Sequence, residues 1–227
     1  MDRRPSSKSA TRAENERLIL EAAETVFAEH GFRGATTGMI AERAGIPKAN
    51  LHYYFPTKET LYRQVVENIF TIWLDAANSF DECADPQEAL TRYITTKMDI
   101  SRQHPMGSKV WANEILHRAP VIQDYLETTL REWTATRIAV IDRWIAEGKM
   151  APVDARTLLY MIWATTQHYA DFNHQIDTLN GGRPLSDAQF DAMKDTVVRI
   201  ILTGVGIRPA RTAGEAGPVA VAGSAGS

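Results

Sequence analysis

Between residues 36 and 62 three helix breakers, Gly45, Pro47 and Pro56, stand so close together that no long helix fits: TTGMIAERAGIPKANLHYYFPTKETLY. The segment is confined to short helices joined by sharp turns. Thr36 or Thr37 can cap the first, and Met39, Ile40 and Ala44, three and four apart, form one apolar face. Gly45 ends that helix, because a residue without Cβ enters the left-handed conformation of a tight turn at little cost; Ile46 then packs inward. Proline fits only in a first turn, so the next helix begins at Pro47 or Lys48, anchored by Leu51 and Phe55. At about 100° per residue, Ala49, Asn50 and Tyr53 point away from that anchor, with Lys48 and His52 on the flank. Pro56 redirects the chain, and Thr57 caps a further helix that opens with Lys58.

Two short helices around a tight turn are the frame that lays a helix in the major groove of DNA. Lysine, asparagine, histidine and tyrosine hydrogen-bond base edges or phosphates, and a small alanine touches a thymine methyl. The candidate DNA contacts are Thr36, Thr37, Lys48, Ala49, Asn50, His52, Tyr53, Tyr54 and Lys58, the last adding its charge to a positive helix end as a phosphate clamp. The plainer reading is a two-helix corner of an ordinary helical protein.

Helical spacing continues along the chain. Ile19, Ala22, Ala23, Val26, Phe27 and His30 keep it before Gly31, and Leu61, Val65, Ile69 and Ile72 carry the helix from Lys58 past the turn unit as a connector. Further helices are expected over about 86–104, 108–116, 120–147, 154–179 and 186–203, divided by His104-Pro105, Ala119-Pro120, Gly148, Ala151-Pro152 and the loop 180–184. About nine helices and no convincing strand predict an all-α protein. The expected organisation is a flexible basic arm (1–13), a helix-turn-helix unit (14–62), a larger helical domain for effector binding and dimerisation (63–208) and a loose tail (209–227) of Ala, Gly and Ser.

The formal charge of −3 does not announce a nucleic-acid binder, but its distribution is informative. Residues 1–65 carry ten Lys and Arg against eight Asp and Glu, leaving fifteen against twenty beyond them. The basic end is the helix-turn-helix end, and Arg3, Arg4, Lys8 and Arg12 add to nonspecific phosphate attraction there. The single cysteine, Cys83, excludes an internal disulfide framework, and no apolar run reaches the length of a signal or membrane segment, so a cytoplasmic protein is expected. No metal or cofactor motif is present.

In the segment 154–179, Leu158, Ile162, Tyr169, Phe172 and Ile176 form one stripe, and in 186–203 Phe190, Met193, Val197, Ile200 and Ile201 form another. These either face their own core or pair with a second copy, and two reading helices from a two-fold dimer match two half-sites of a near-palindrome. Trp163, Gln167 and Asp171, at i, i+4 and i+8, run along the other side of the first of these helices. A carboxamide donates and accepts at once and an indole offers a flat surface, which suits a planar ligand with C=O and N–H groups; Trp73 on the connector can supply a second wall. The alternative is that the tryptophans are core residues and Gln167 faces solvent.

LILEAAETVFAEHGFRGATTGMIAERAG followed by ANLHYYFPTKETLY resembles the tetracycline-repressor (TetR) family, whose recurring pattern is a helix ending at GF, a T-x-x-x-IA-x-x-AG turn and L-x-x-YF-x-x-KE-x-L. Pro47 stands where that family more often has Ser or another small cap. The runs IWLDA, MIWATTQHYADF and RIILTGVGIRP resemble a pyrimidine-responsive branch of the family. That resemblance implies a homodimer on double-stranded operator DNA, released when uracil or thymine binds in the effector domain, with Trp73, Trp163, Gln167, Tyr169 and Asp171 as ligand residues. SKVWANEILHRAP is less similar to that branch, and if Lys109, Trp111, Asn113, Glu114 or His117 lines the pocket the effector can be a different planar amide. Two other classes compete: a helical enzyme using His168, Asp171 and Glu114 as acid or base groups, against which no nucleophile elbow or phosphate loop occurs, and an effectorless nucleoid-type binder.

Overall fold

The computed structural model describes residues 7–207, and every regular element among them is helical. In chain order these are α1 (Ser7–Gly34), α2 (Thr37–Ala44), α3 (Lys48–Tyr54), α4 (Lys58–Ala76), α5 (Ser79–Glu82), α6 (Pro86–Gln103), α7 (Pro105–Leu116), α8 (Gln123–Tyr125), α9 (Arg131–Ala146), α10 (Ala155–Asp171), α11 (Asn173–Leu179) and α12 (Asp187–Gly204). A π-helical turn, Leu126–Leu130, joins α8 to α9. Of the expected arm, residues 7–13 already belong to α1, while 1–6 and the expected tail lie outside the described residues.

The turn chemistry operates as the residue types require. Thr36 Oγ1 accepts from the Met39 amide, Gly45 is left-handed at φ 67°, and Pro47 caps α3 without a side-chain bond. Thr57 Oγ1 accepts from the Thr60 amide at the start of α4. Gly31, at φ 64°, kinks the end of α1.

Two apolar cores meet along α4. Its first half places Leu61, Tyr62, Val65 and Val66 with Ile19, Phe27, Ile40 and Leu51 of the N-terminal unit. Its second half places Ile69, Phe70 and Trp73 with the core formed by α6, α9, α10 and α12. At 1.5 Å rise per residue the helix is a rod of roughly 28 Å that spans both cores. The seam is tight: a Cβ on Gly107 of α7 would lie 3.0 Å from Ile69 Cγ1 and Cδ1.

Two expectations are corrected here. The segment 154–179 is not one helix, because Phe172 (φ −116°, ψ 26°) closes α10 and opens α11. The two apolar stripes also divide: Leu158, Ile162, Phe190, Val197 and Ile201 are buried in this chain's own core, while Phe172, Met193 and Ile200 are exposed with Tyr160, Met161 and Leu179. A 100° spacing places residues on one side of a helix, but a helix against a core also presents its flanks.

Candidate functional site

Lys48, Ala49, Asn50, His52 and Tyr53 are all exposed on α3, while Leu51 and Phe55 are buried beneath them. Tyr53 is 71% exposed, with the Arg12 guanidinium 5.9 Å over its ring. Thr36 is exposed at the start of α2 and Thr37 half-buried. Two proposed contacts are otherwise engaged. Tyr54 leans onto the N-terminal core and its hydroxyl accepts from Asn15 Nδ2 at 3.1 Å. Lys58 Nζ donates to the carbonyl oxygens of Phe32 (2.7 Å) and Ala35 (2.9 Å) and lies 4.6 Å over the Phe32 ring, so its charge closes the end of α1 rather than reaching outward. Three free donors on a flexible stem go to the nearest unsatisfied carbonyls, and spacing along one helix does not show those of another.

In the larger unit an aromatic cavity of about 50 Å³ is lined by Phe70, Trp73 and Leu74 of α4, Tyr93 and Lys97 of α6, Trp111 of α7, Leu130, Trp133 of α9, and Trp163 and Gln167 of α10. Four of the chain's five tryptophans converge there. Phe70 and Trp111 stack at 5.1 Å and 16°, Trp73 stands edge-on to Trp111 at 5.5 Å, and Trp163 tilts against Trp133 at 6.2 Å. Trp163 Nε1 donates to the Tyr93 hydroxyl at 2.9 Å, which fixes both rings. Trp73 Nε1 is buried with no hydrogen-bond partner among the described residues, so a wall of this cavity carries an unused donor.

Of the expected ligand residues, Trp73, Trp163 and Gln167 line this one cavity, while Tyr169 and Asp171 do not. Asp171, one turn beyond Gln167, lines a wider adjoining groove with Lys109 and Asn113 that shares Trp111 and Gln167 with the cavity, and accepts from Ser108 Oγ at 2.6 Å. Burial raises its carboxyl above the usual range, opposed by the Ser108 bond. Tyr169 packs edge-on to Phe190 at 5.7 Å and lines a separate groove with Asn173. Two i+4 steps rotate a position by about 80°, enough to leave a narrow pocket.

Lys97 is the residue the sequence reading missed. It lies on the apolar side of α6 among Leu90, Tyr93, Ile94 and Met98, is 3% exposed, and holds Nζ 4.7 Å from the centre of the Trp73 ring. Nζ makes no hydrogen bond to a described residue. A lysine inside an otherwise apolar helical stripe was the available signal. Burial pushes its ammonium down to about 7 from an ordinary 10.5, with Asp171 opposing. The unfolded chain therefore binds this proton more tightly than the folded one between those values. The stability deficit is complete below about pH 7 and shrinks as pH rises toward 10.5. Lys97→Met is expected to raise the unfolding free energy more near neutral pH than at alkaline pH, as checked by urea unfolding at about pH 6.5 and about pH 9.

A second buried polar cluster lies between this cavity and the N-terminal unit. Glu114 of α7, 2% exposed, accepts from the Tyr62 hydroxyl of α4 at 2.9 Å and from the amides of Val121 (2.7 Å) and Ile122 (3.2 Å). Tyr62 stands edge-on to Phe27 of α1 at 4.9 Å, and its phenol is raised above its ordinary value by burial and then by the Glu114 charge. Three residues before Glu114, Trp111 is in the cavity wall. The turn after α7 puts Arg118 and Ala119 at φ 69° and 49°, a conformation costly for residues with a Cβ, and the Glu114 bonds hold the chain that follows it.

The acid and base groups of the enzyme alternative are dispersed. Glu114 and Asp171 line different grooves, and the exposed His168 stacks on Phe172 at 4.9 Å. Among the described residues no group of His, Cys, Asp and Glu is placed to hold a metal ion, and no helix is long and apolar enough to cross a membrane.

Residues 19–65 match the family model described as bacterial regulatory proteins, tetR family, and residues 66–208 match that of the YcdC-like protein C-terminal region. The chain is 40% identical over 189 residues to the HTH-type transcriptional regulator RutR of Escherichia coli K12, covering 83% of this chain and 89% of that one. The HTH-type transcriptional repressor KstR2 of Mycolicibacterium smegmatis is 25% identical over 151 residues, 65% of this chain and 71% of that one. The crystal structure of the probable transcriptional regulatory protein RHA5900 superposes with a TM-score of 0.67 at 20% identity over 83% of this chain and 97% of that one, a likeness of fold. An exposed α3, an aromatic cavity and one helix common to both units are thus joined to matches that span both: the chain belongs to the TetR family of ligand-responsive transcriptional regulators.

Proposed function

We propose that the protein is a homodimeric repressor that binds a near-palindromic operator through paired α3 helices and is released by a pyrimidine nucleobase, uracil or thymine, in the aromatic cavity. The observation that carries this reading is the cavity's polar complement. Flat indole walls suit a planar ring, and Lys97 and Gln167 among the lining residues bring one donor and one group that both donates and accepts. That set complements a carbonyl and the adjacent N–H of an imide. The likeness to RutR supports it. Trp111, which comes from the less similar segment yet lines the cavity, favours a second reading in which the effector is another planar amide.

The exposed apolar side chains of α10 to α12, Phe172, Leu179, Met193 and Ile200 among them, supply a face for pairing two copies. In the ligand-free dimer the reading helices stand about one DNA turn apart, roughly 34–36 Å. A ring clasped between Trp73 and Trp163 favours a second arrangement of α4 and α10, and α4 carries it to α3. The ligand shifts the equilibrium only by its differential affinity for the two arrangements, so a useful switch needs about 1–3 kcal/mol of coupling.

A panel of nucleobases and cyclic amides tests the effector. Uracil or thymine is expected to raise the melting temperature, and a panel in which neither does so removes the pyrimidine reading. Gln167→Ala is expected to leave operator affinity unchanged while raising the uracil concentration needed for release at least about tenfold, measured by fluorescence anisotropy of labelled operator. Release at unchanged concentration would remove Gln167 from the site.

A further inference from the structure

A neutral imide gives Lys97 an acceptor but no counter-charge. Its Nζ is enclosed by aromatic walls, and its hydrogen-bonding capacity is unused among the described residues. The charged or titratable groups facing it are few. Tyr93, one turn earlier on α6, already accepts from Trp163, and Asp171 of α10 acts on Lys97 through its charge while its Oδ1 accepts from Ser108. Lys109 and His168 act in turn on Asp171. The Trp73 ring beneath Nζ provides cation–π attraction but no counter-charge. A buried ammonium without a hydrogen-bonded anion is a costly arrangement unless a ligand brings the anion.

We propose that the cavity selects acidic imides and holds them as the imidate anion, paired with the Lys97 ammonium above Trp73. The step is a proton transfer: the ring N–H bond breaks, its proton joins the lone pair of Nζ, and the negative charge spreads over the ring nitrogen and its two flanking carbonyl oxygens. Where Lys97 is already protonated, the imide proton is released to buffer instead. Lys97 then donates to one carbonyl oxygen. Neutral lactams of similar shape can stack on the indoles but supply no anion. The inference rests on the imide reading and adds to it a rule for ranking ligands.

The test uses the full chain and a series whose ring N–H acidity rises: dihydrouracil, uracil, 5-fluorouracil and 5-nitrouracil, titrated calorimetrically at one pH. Affinity is expected to rise along the series. In Lys97→Met, whose side chain suits an apolar cavity, the trend should vanish and uracil affinity fall roughly 10- to 100-fold. A second readout is spectroscopic. 5-Nitrouracil, in buffer acidic enough to keep it neutral when free, should show the red-shifted absorbance of its anion when bound to the parent protein and the neutral spectrum when bound to Lys97→Met. Binding without dependence on acidity, or an anion spectrum in both proteins, overturns this inference and leaves the nucleobase reading standing. Failure of every member to bind overturns both.

Discussion

Alanine at both Lys48 and Tyr53 is expected to lower operator affinity at least about 100-fold while the protein folds and dimerises as before. Both side chains project from α3 with Leu51 and Phe55 buried below them, so their removal opens no cavity. Each side chain lost from a groove or phosphate contact costs about 1–3 kcal/mol, and a two-fold dimer loses each contact twice. Thermal unfolding should move by less than about 2 °C, because surface substitutions away from packed features change stability little. Anisotropy of labelled operator at fixed salt measures the loss, and salt titration gives its electrostatic part, since each lost phosphate contact lowers the slope. Operator binding at full strength by the double variant would show that α3 does not read DNA through this face.

Glu114→Ala is expected to be strongly destabilising. It leaves the Tyr62 hydroxyl and the amides of Val121 and Ile122 without their acceptor in a buried site. The cost of such a loss is about 3–5 kcal/mol, or roughly 10 °C in melting temperature for a chain of this size. It also cuts the path from Trp111 in the cavity wall to Tyr62 under the reading unit. Tyr62→Phe separates the two effects. It removes one hydroxyl, retains the packing on Phe27 and leaves Glu114 its two amide partners, so the protein should stay folded while more uracil is needed to release operator. If Tyr62→Phe responds to uracil unchanged, the cluster serves stability alone.

How much of the site was legible varied with the range of the interaction. Thr36, Gly45, Pro47 and Thr57 operate through bonds to residues no more than a few positions away, and each was readable as a cap or turn. The outward face of α3 followed from two buried anchors, Leu51 on the helix and Phe55 at its C-cap. Trp163 and Gln167 were visible as a polar line opposite apolar positions, but that line overran the cavity, because spacing shows direction around a helix and not depth along it. Trp133, Tyr93 and Lys97 come from helices that meet only in three dimensions.

Local chemistry, then, determined the helical class, the boundaries of the turn unit and the residues α3 presents, since each depends on backbone preferences and a period of 3.6 residues. The tertiary structure alone decided what each polar group found when the helices packed. Lys58 turned to the Phe32 and Ala35 carbonyls, Tyr54 to Asn15, and Glu114 to Tyr62, while Lys97 was enclosed among tryptophans without a hydrogen-bonded anion. The physical reason is that a buried donor or acceptor is satisfied by whichever partner packing brings near, and those partners lie 26 to 52 residues away for the Lys58–Phe32, Tyr54–Asn15 and Glu114–Tyr62 pairs, beyond the reach of any local pattern.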